Sequence, residues 1–205
     1  MLKTLFSAAV LSAMAATPLA AQDIDADAPP AQRQMSDYAT IDYNLQEDRD
    51  NILFLDLSNG QRVAIRLMPD WAPHHVERVK TLAREGFYDG VIFHRVIDGF
   101  MAQGGDPTGT GAGGSGQNLD AEFSEAKHVR GTLSMARAQH PDSADSQFFI
   151  CFEDVPHLNG QYTVWGQVVE GMEYVDQIKK GTPQNNGLVD NPDKIIRMLV
   201  ASDAD

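Results

Sequence analysis

Six histidines, one cysteine and a run of glycines are where chemistry would first be sought in this 205-residue chain. His74 and His75 are adjacent. Neighbours on a helix point about 100° apart, so they do not readily share an ion. His140 lies in a His-Pro-Asp-Ser loop, and no His-Glu-x-x-His spacing occurs, so no metal site is expected. The single cysteine, Cys151, excludes an internal disulfide and a Cys-clustered zinc site. It sits in an apolar run with Phe149 and Phe152 and reads as a buried, unreactive thiol. Residues 109–116, Gly-Thr-Gly-Ala-Gly-Gly-Ser-Gly, are followed by Gln117-Asn118 rather than the Lys-Ser/Thr of a phosphate-binding loop. They read as a mobile loop whose glycines permit positive φ. Ser115 fails the Gly-x-Ser-x-Gly pattern of a hydrolase nucleophile, because Gln117 takes the last place. Two stretches stand apart. Residues 93–106 read Phe-His-Arg-Val-Ile-Asp-Gly-Phe-Met-Ala-Gln-Gly-Gly-Asp, a buried-strand pattern with a turn at Asp98-Gly99. Residues 146–150 read Ser-Gln-Phe-Phe-Ile.

The elements that must position these residues follow from composition and periodicity. Sixteen Lys and Arg stand against 29 Asp and Glu, a formal charge of −13. That argues against a nucleic-acid or anionic-membrane partner, which would need clustered Lys and Arg. Seventeen glycines and ten prolines favour a turn-rich fold over a helical bundle. Residues 1–21 read as a secretory signal: Lys3, an apolar stretch, and a cleavage region ending at Ala21. Residues 22–50 are acidic and rich in Ala and Pro, and read as a flexible linker. Alternating Ile41, Tyr43 and Leu45 offer a short strand as the other reading of its end. From residue 51 the texture is β. Runs at 52–58 and 63–67 flank Asn59-Gly60, a hairpin signal. Residues 70–87 switch to helical spacing, with Pro73 in the first turn and Gly86 at the end. A second helix is expected at 172–180, stopped by Gly181. Further strand-like runs lie at 91–96, 130–136, 146–152, 163–169 and 194–201. Strands at this spacing, broken by Gly and Pro, suggest a closed barrel or a sandwich.

Taken together, Phe93-His94-Arg95, residues 99–101 with 103–106, residues 131–136, residues 146–150 and residues 164–172 resemble the successive signature blocks of the cyclophilin peptidyl-prolyl cis-trans isomerases. The resemblance spans about residues 51–201. It implies a mainly β domain at 51–202, a closed eight-stranded antiparallel barrel capped by two α-helices. It also implies catalysed rotation about Xaa-Pro bonds. Amide resonance sets that barrier at about 18–20 kcal/mol. No bond breaks, so no metal or cofactor is required.

The resemblance maps Arg95 onto the family's catalytic arginine, with Gln103 bonding the substrate carbonyl. Phe100, Met101, Phe148 and Leu158 map onto the apolar proline pocket. Ala136 and Arg137 map onto the segment that pairs with substrate, and Gln147 lies alongside. His157 stands where eukaryotic members have Trp, and Tyr162 where they have His, at the pocket rim. Weak cyclosporin binding is expected from the missing Trp. The partners implied are proline-containing peptides and unfolded exported proteins, met by a monomer. Nucleic acid is not among them, and no stable membrane association is expected once the signal is removed. The expected location is the periplasm, or secretion beyond it. The competing reading is a non-catalytic proline-peptide binding module or chaperone. A scaffold that recruits partners through residues 22–50 is a third, with only composition behind it.

Overall fold

The structure, a computed structural model, describes residues 41–204. The signal segment 1–21 and linker residues 22–40 lie outside the described residues. Eight antiparallel strands form one sheet in the order β3-β4-β6-β5-β7-β2-β1-β8. They are β1 Ile52–Leu57, β2 Arg62–Leu67, β3 Arg95–Ile97, β4 Met101–Gly104, β5 Thr132–Met135, β6 Phe148–Cys151, β7 Val164–Glu170 and β8 Ile195–Val200. Asn59-Gly60 turns β1 into β2, with Gly60 at φ 81°. Register shifts at Asp56/Leu57, Ala64/Ile65 and Leu133/Ser134 insert bulges. Such bulges bend and coil strands. The sheet therefore curls round a core that includes Leu53, Ile65, Phe93, Leu133, Phe148 and Trp165.

The sheet is an open half-barrel, which corrects the expected closed barrel. The outer strands β3 and β8 share no ladder. β3 has only three residues, and its outer edge is taken by another segment. The Val96 N–H donates to the Gly187 carbonyl, and the Gly181 and Val189 N–H groups donate to the carbonyls of Val96 and His94. The irregular segment before β3 meets the first residue of β8, where the Gly90 N–H donates to the Ile195 carbonyl and the Ile195 N–H to that of Val91. Residues 91–94 are thus not the strand their apolar run suggests. β4 is the strand that periodicity missed, because Gln103-Gly104-Gly105 looks like a turn.

Helix α1, Pro73–Arg84, packs on β7 and β8 and buries Val76, Val79, Leu82 and Ala83. The second helix is shorter than expected, a single turn α2 at Met172–Val175. Beyond it the Gln177 and Ile178 N–H groups bond to Tyr174 and Val175, three residues back. The Lys179 N–H leaves the helix altogether to bond Asp193 Oδ2 at 2.9 Å.

The expected flexible linker does not extend to Asp50. Arg66 is 3 % exposed on the face of β2 opposite Ile65 and Leu67. Its guanidinium donates to the carbonyls of Asp42 (2.9 Å), Asn44 (2.6 Å) and Asp48 (3.2 Å). Asp50 then binds Lys80 Nζ at 2.6 Å and Arg84 Nη2 at 2.9 Å, and these contacts hold its carboxyl below the usual carboxylate range. Residues 41–45 form no strand, because their carbonyls turn inward to the cation. Trimming the chain to residue 51 should therefore cost about 1–3 kcal/mol in urea unfolding relative to a chain beginning at residue 41. Arg66→Ala should cost a similar amount in the longer chain and much less in the shorter one. Equal effects in both chains would detach Arg66 from the N-terminal segment.

Candidate active site

Strands β3 and β4 form a hairpin closed by Asp98-Gly99, with Gly99 at φ 66°. Register sets Arg95 opposite Gln103, and Gln103 opposite Phe149 of β6. Ile97, Met101 and Cys151 are likewise in line. Side chains alternate across a strand, so these residues share one face, and Val96, Ala102, Phe148 and Ile150 share the other. The second face belongs to the main core. The first carries a separate apolar cluster of Met101, Phe149, Cys151, Val155 and Leu158, ringed by Ile97, Phe100, Ala136 and Tyr162. Strand β6 is buried on both sides for this reason.

The alternation corrects one expected site residue. Phe148 is fully buried among the main-core side chains, edge-on to Tyr88 (5.8 Å) and Trp165 (5.8 Å). Its neighbour Phe149 takes the pocket position, 5.7 Å from the Tyr162 ring. A double-Phe run does not say which ring faces which side. The register with Gln103 decides it. Phe100, Met101 and Leu158 do meet in the pocket cluster. His157 is exposed at its rim, its ring 6.0 Å from that of Phe100. Behind Phe149, His128 stacks at 6.1 Å and contacts Ser134 and Asn159, and its burial pushes its pKa down. Cys151 lies under the pocket, where burial pushes its thiol up to about 12 and keeps it un-ionised.

The polar side of the groove is a directed chain of hydrogen bonds. Arg95 Nη1 donates to Gln103 Oε1 (3.3 Å), and Gln103 Nε2 donates to Gln147 Oε1 (3.0 Å). Gln147 Nε2 then donates to the carbonyls of Gly111 (3.1 Å) and Gly113 (2.8 Å). Asn186, which sequence reasoning passed over, accepts from Arg95 Nε at its backbone oxygen (3.0 Å) and from Nη2 at Oδ1 (3.1 Å). Burial lowers the Arg95 pKa from its usual value. Arg137 lies over the Tyr162 ring at 4.7 Å and donates to the carbonyls of Gln161, Ala138 and Gln139. The Ala136 N–H is taken by the Gln147 carbonyl at 2.9 Å. Beside these residues opens a cavity of about 300 Å³ lined by Gln103, Ala112, Ala136, Arg137, Asp145 and Gln147.

The glycine-rich loop is the far wall of that cavity, and carboxylates of the chain itself shape it. Asp106 accepts from the N–H groups of Thr108, Gly111 and Gly113 and from the Thr108 hydroxyl. Burial would raise its pKa, but those bonds outweigh it and hold the carboxyl well below the usual range. Asp145 accepts from the N–H groups of Ser115 and Gly116 and from the Ser115 hydroxyl. A Cβ on Gly113 would lie 2.2 Å from Asp106, and one on Gly114 2.3 Å from Asp145. Close approach of a carboxylate thus explains these two glycines, and the loop N–H groups of Gly111, Gly113, Ser115 and Gly116 are taken by the chain's own carboxylates. Farther along, Glu122 caps α1. It accepts from the N–H groups of His74 (3.1 Å) and His75 (3.0 Å), and each imidazole Nδ1 lies 2.7 Å from one of its oxygens. Burial works against the charge, but the His75 and His74 bonds prevail and hold the Glu122 carboxyl at about 2. The paired histidines therefore share a carboxylate.

Residues 54–200 match the family model described as cyclophilin type peptidyl-prolyl cis-trans isomerase/CLD. The chain is 54% identical over 168 residues to a "Probable peptidyl-prolyl cis-trans isomerase" of Brucella suis biovar 1, covering 76% of this chain and 85% of that one. It is 46% identical over 127 residues to "Peptidyl-prolyl cis-trans isomerase B" of Bacillus subtilis, covering 61% and 88%. Among solved structures, a cyclophilin from Hirschia baltica superposes with a TM-score of 0.69 at 27% identity, covering 77% of this chain and 76% of that one. A Cryptosporidium parvum cyclophilin-type isomerase, crystallised in the presence of the dipeptide Ala-Pro, superposes at 0.66 with 32% identity, covering 73% and 98%.

Two measurements check this geometry. Phe149→Ala should lower kcat/KM for a proline peptide at least about tenfold through lost pocket area. Phe148→Ala should instead cost about 3–5 kcal/mol of stability, with KM of the folded fraction unchanged. The reverse pattern would exchange the two rings. For Glu122 the folded pKa is depressed, so its stabilisation is full above its ordinary value of 4.5 and drains as pH falls towards 2. Glu122→Gln should be less stable than wild type at pH 6 and should lose less stability between pH 4.5 and pH 2. Parallel stability curves for the two proteins would remove the Glu122 cap as a source of acid sensitivity.

Proposed function

The chain belongs to the cyclophilin-type peptidyl-prolyl cis-trans isomerase family, and on that premise we propose that it isomerises Xaa-Pro bonds of exported proteins by the guanidinium of Arg95. One observation carries the reading: a side chain that is always charged is held by Gln103 and Asn186, on the same sheet face as the apolar cluster of Met101, Phe149 and Leu158.

The substrate's pyrrolidine ring enters that cluster, with Phe100 and His157 at its rim. The chain on either side lies along Ala136, Arg137 and the 300 Å³ cavity. Rotation of the amide breaks conjugation and localises a lone pair on the proline nitrogen. A guanidinium N–H bonds that nitrogen, or the turning carbonyl, more strongly in the twisted state than in the planar one. Only such a difference accelerates rotation. Gln103 still has one N–H of its amide for a substrate carbonyl, since the other serves Gln147. A module that only held proline segments would need the apolar cluster and not a guanidinium fixed on three nitrogens.

The residue pattern of 1–21 supports export, and on this reading the substrates are folding chains in the periplasm or beyond it. Weak cyclosporin binding follows from His157, an exposed imidazole where sensitive relatives carry an indole.

The deciding experiment compares wild type with Arg95→Ala on a cis-proline peptide, with folding matched by circular dichroism. Wild type should accelerate exchange, and the variant should lose about 10²–10³ of kcat/KM while still binding peptide. Binding without acceleration in both proteins would leave a non-catalytic module.

A further inference from the structure

Gln103 alone does not orient Arg95. Its bond to Nη1 is 3.3 Å, the longest of the three the guanidinium makes. The other two converge on one residue outside the sheet. Asn186 offers its backbone oxygen to Nε at 3.0 Å and its Oδ1 to Nη2 at 3.1 Å. One residue can present both oxygens to one guanidinium because of its backbone. Asn186 sits at φ 57°, ψ 34°, a left-handed conformation. Asparagine tolerates that region better than most residues with a Cβ.

The conformation is itself enforced. The Thr182 N–H and hydroxyl donate to Asn185 Oδ1 at 3.2 and 3.1 Å. The Asn186 N–H donates to the Pro183 carbonyl at 3.3 Å, and the Gly187 N–H to that of Thr182 at 2.9 Å. Gly187 is pressed against β3, where a Cβ would lie 2.4 Å from Ile97 Cγ1. The turn is therefore docked on the same three-residue strand that carries Arg95.

We propose that Asn186 is a positioning residue for Arg95. Its two carbonyl oxygens fix the plane of the guanidinium, and its side-chain oxygen is the part a glycine could not replace. This rests on the isomerase reading and deepens it. A guanidinium has five N–H groups, and three are bound here, which leaves two for the substrate. Held on three nitrogens, those two N–H groups have fixed directions before the amide twists. The planar ground state draws little on them, so loosening Arg95 falls on kcat rather than on KM.

The test uses Asn186→Gly, which keeps the left-handed backbone and the carbonyl but removes Oδ1. Asn186→Asp serves as the conservative variant, since it keeps an acceptor there. For Asn186→Gly, kcat on a cis-proline peptide should fall about tenfold, with KM changed less than about twofold. Asn186→Asp should recover most of that loss. Nitrogen-15 NMR of the Arg95 guanidinium supplies a second readout. Rotation about Nε–Cζ should be slow in wild type and Asn186→Asp, and fast in Asn186→Gly. Unchanged kcat and unchanged rotation in Asn186→Gly would overturn the assignment. So would equal losses of kcat in both variants with rotation unaltered, which would mark a structural role for the turn. If wild type itself fails to accelerate exchange, the isomerase reading falls, and the rotation rates still decide whether Asn186 holds Arg95.

Discussion

The arrangement of the groove depends on one interaction, the three-nitrogen hold on Arg95. Its guanidinium is held by an amide from β4 and by two oxygens of the 182–187 turn. Each of those partners is held in turn, Gln103 by Gln147 and the turn by its docking on β3. The same docking explains why the sheet stays open. The outer edge of β3 is spent on the turn that anchors the arginine, so β8 cannot pair with it.

Burial on both faces of the β4–β6 region is the second consequence. One face fills the curled sheet and the other makes a shallow apolar cluster at the surface. Adjacent residues therefore have unrelated tasks: Phe148 packs against Trp165 while Phe149 lines the pocket. Main-core packing lies beneath β4 and β6, and the pocket residues are built on top of it. His128 and Arg137 extend it outward, one stacked behind Phe149 and the other over Tyr162.

Charge is used locally in a chain with an acidic excess of 13. Asp106, Asp145 and Glu122 each collect backbone N–H groups, and between them they tie down the long connection that forms the far wall of the groove. Asp50 and the carbonyls of residues 42–48 do the converse, gathering around Lys80, Arg84 and the buried Arg66. Loops that composition marks as flexible are thereby ordered by a few charged side chains.

Local pattern determined a good deal. Period-two runs, Asn59-Gly60 and the Pro73 helix start placed most strands and α1 within a few residues. The signature around Arg95, Gln103, Phe100 and Met101 marked the groove, because those residues lie in one hairpin and their relation is nearly local. Tertiary structure decided the remainder, where a residue's role depends on what approaches from far along the chain. β4 is a strand because β3 and β6 flank it. The chain beyond α2 does not run on as helix to residue 180: its bonds tighten to three residues back at Gln177 and Ile178, and Asp193 then takes the Lys179 N–H. Residues 41–50 are ordered because Arg66 needs acceptors. Asn186 lies 91 residues from Arg95 and reaches it only through a turn no periodicity announces. The choice between Phe148 and Phe149 is the clearest case. A strand's pattern says that neighbours face opposite ways, and only pairing with a second strand says which way is which.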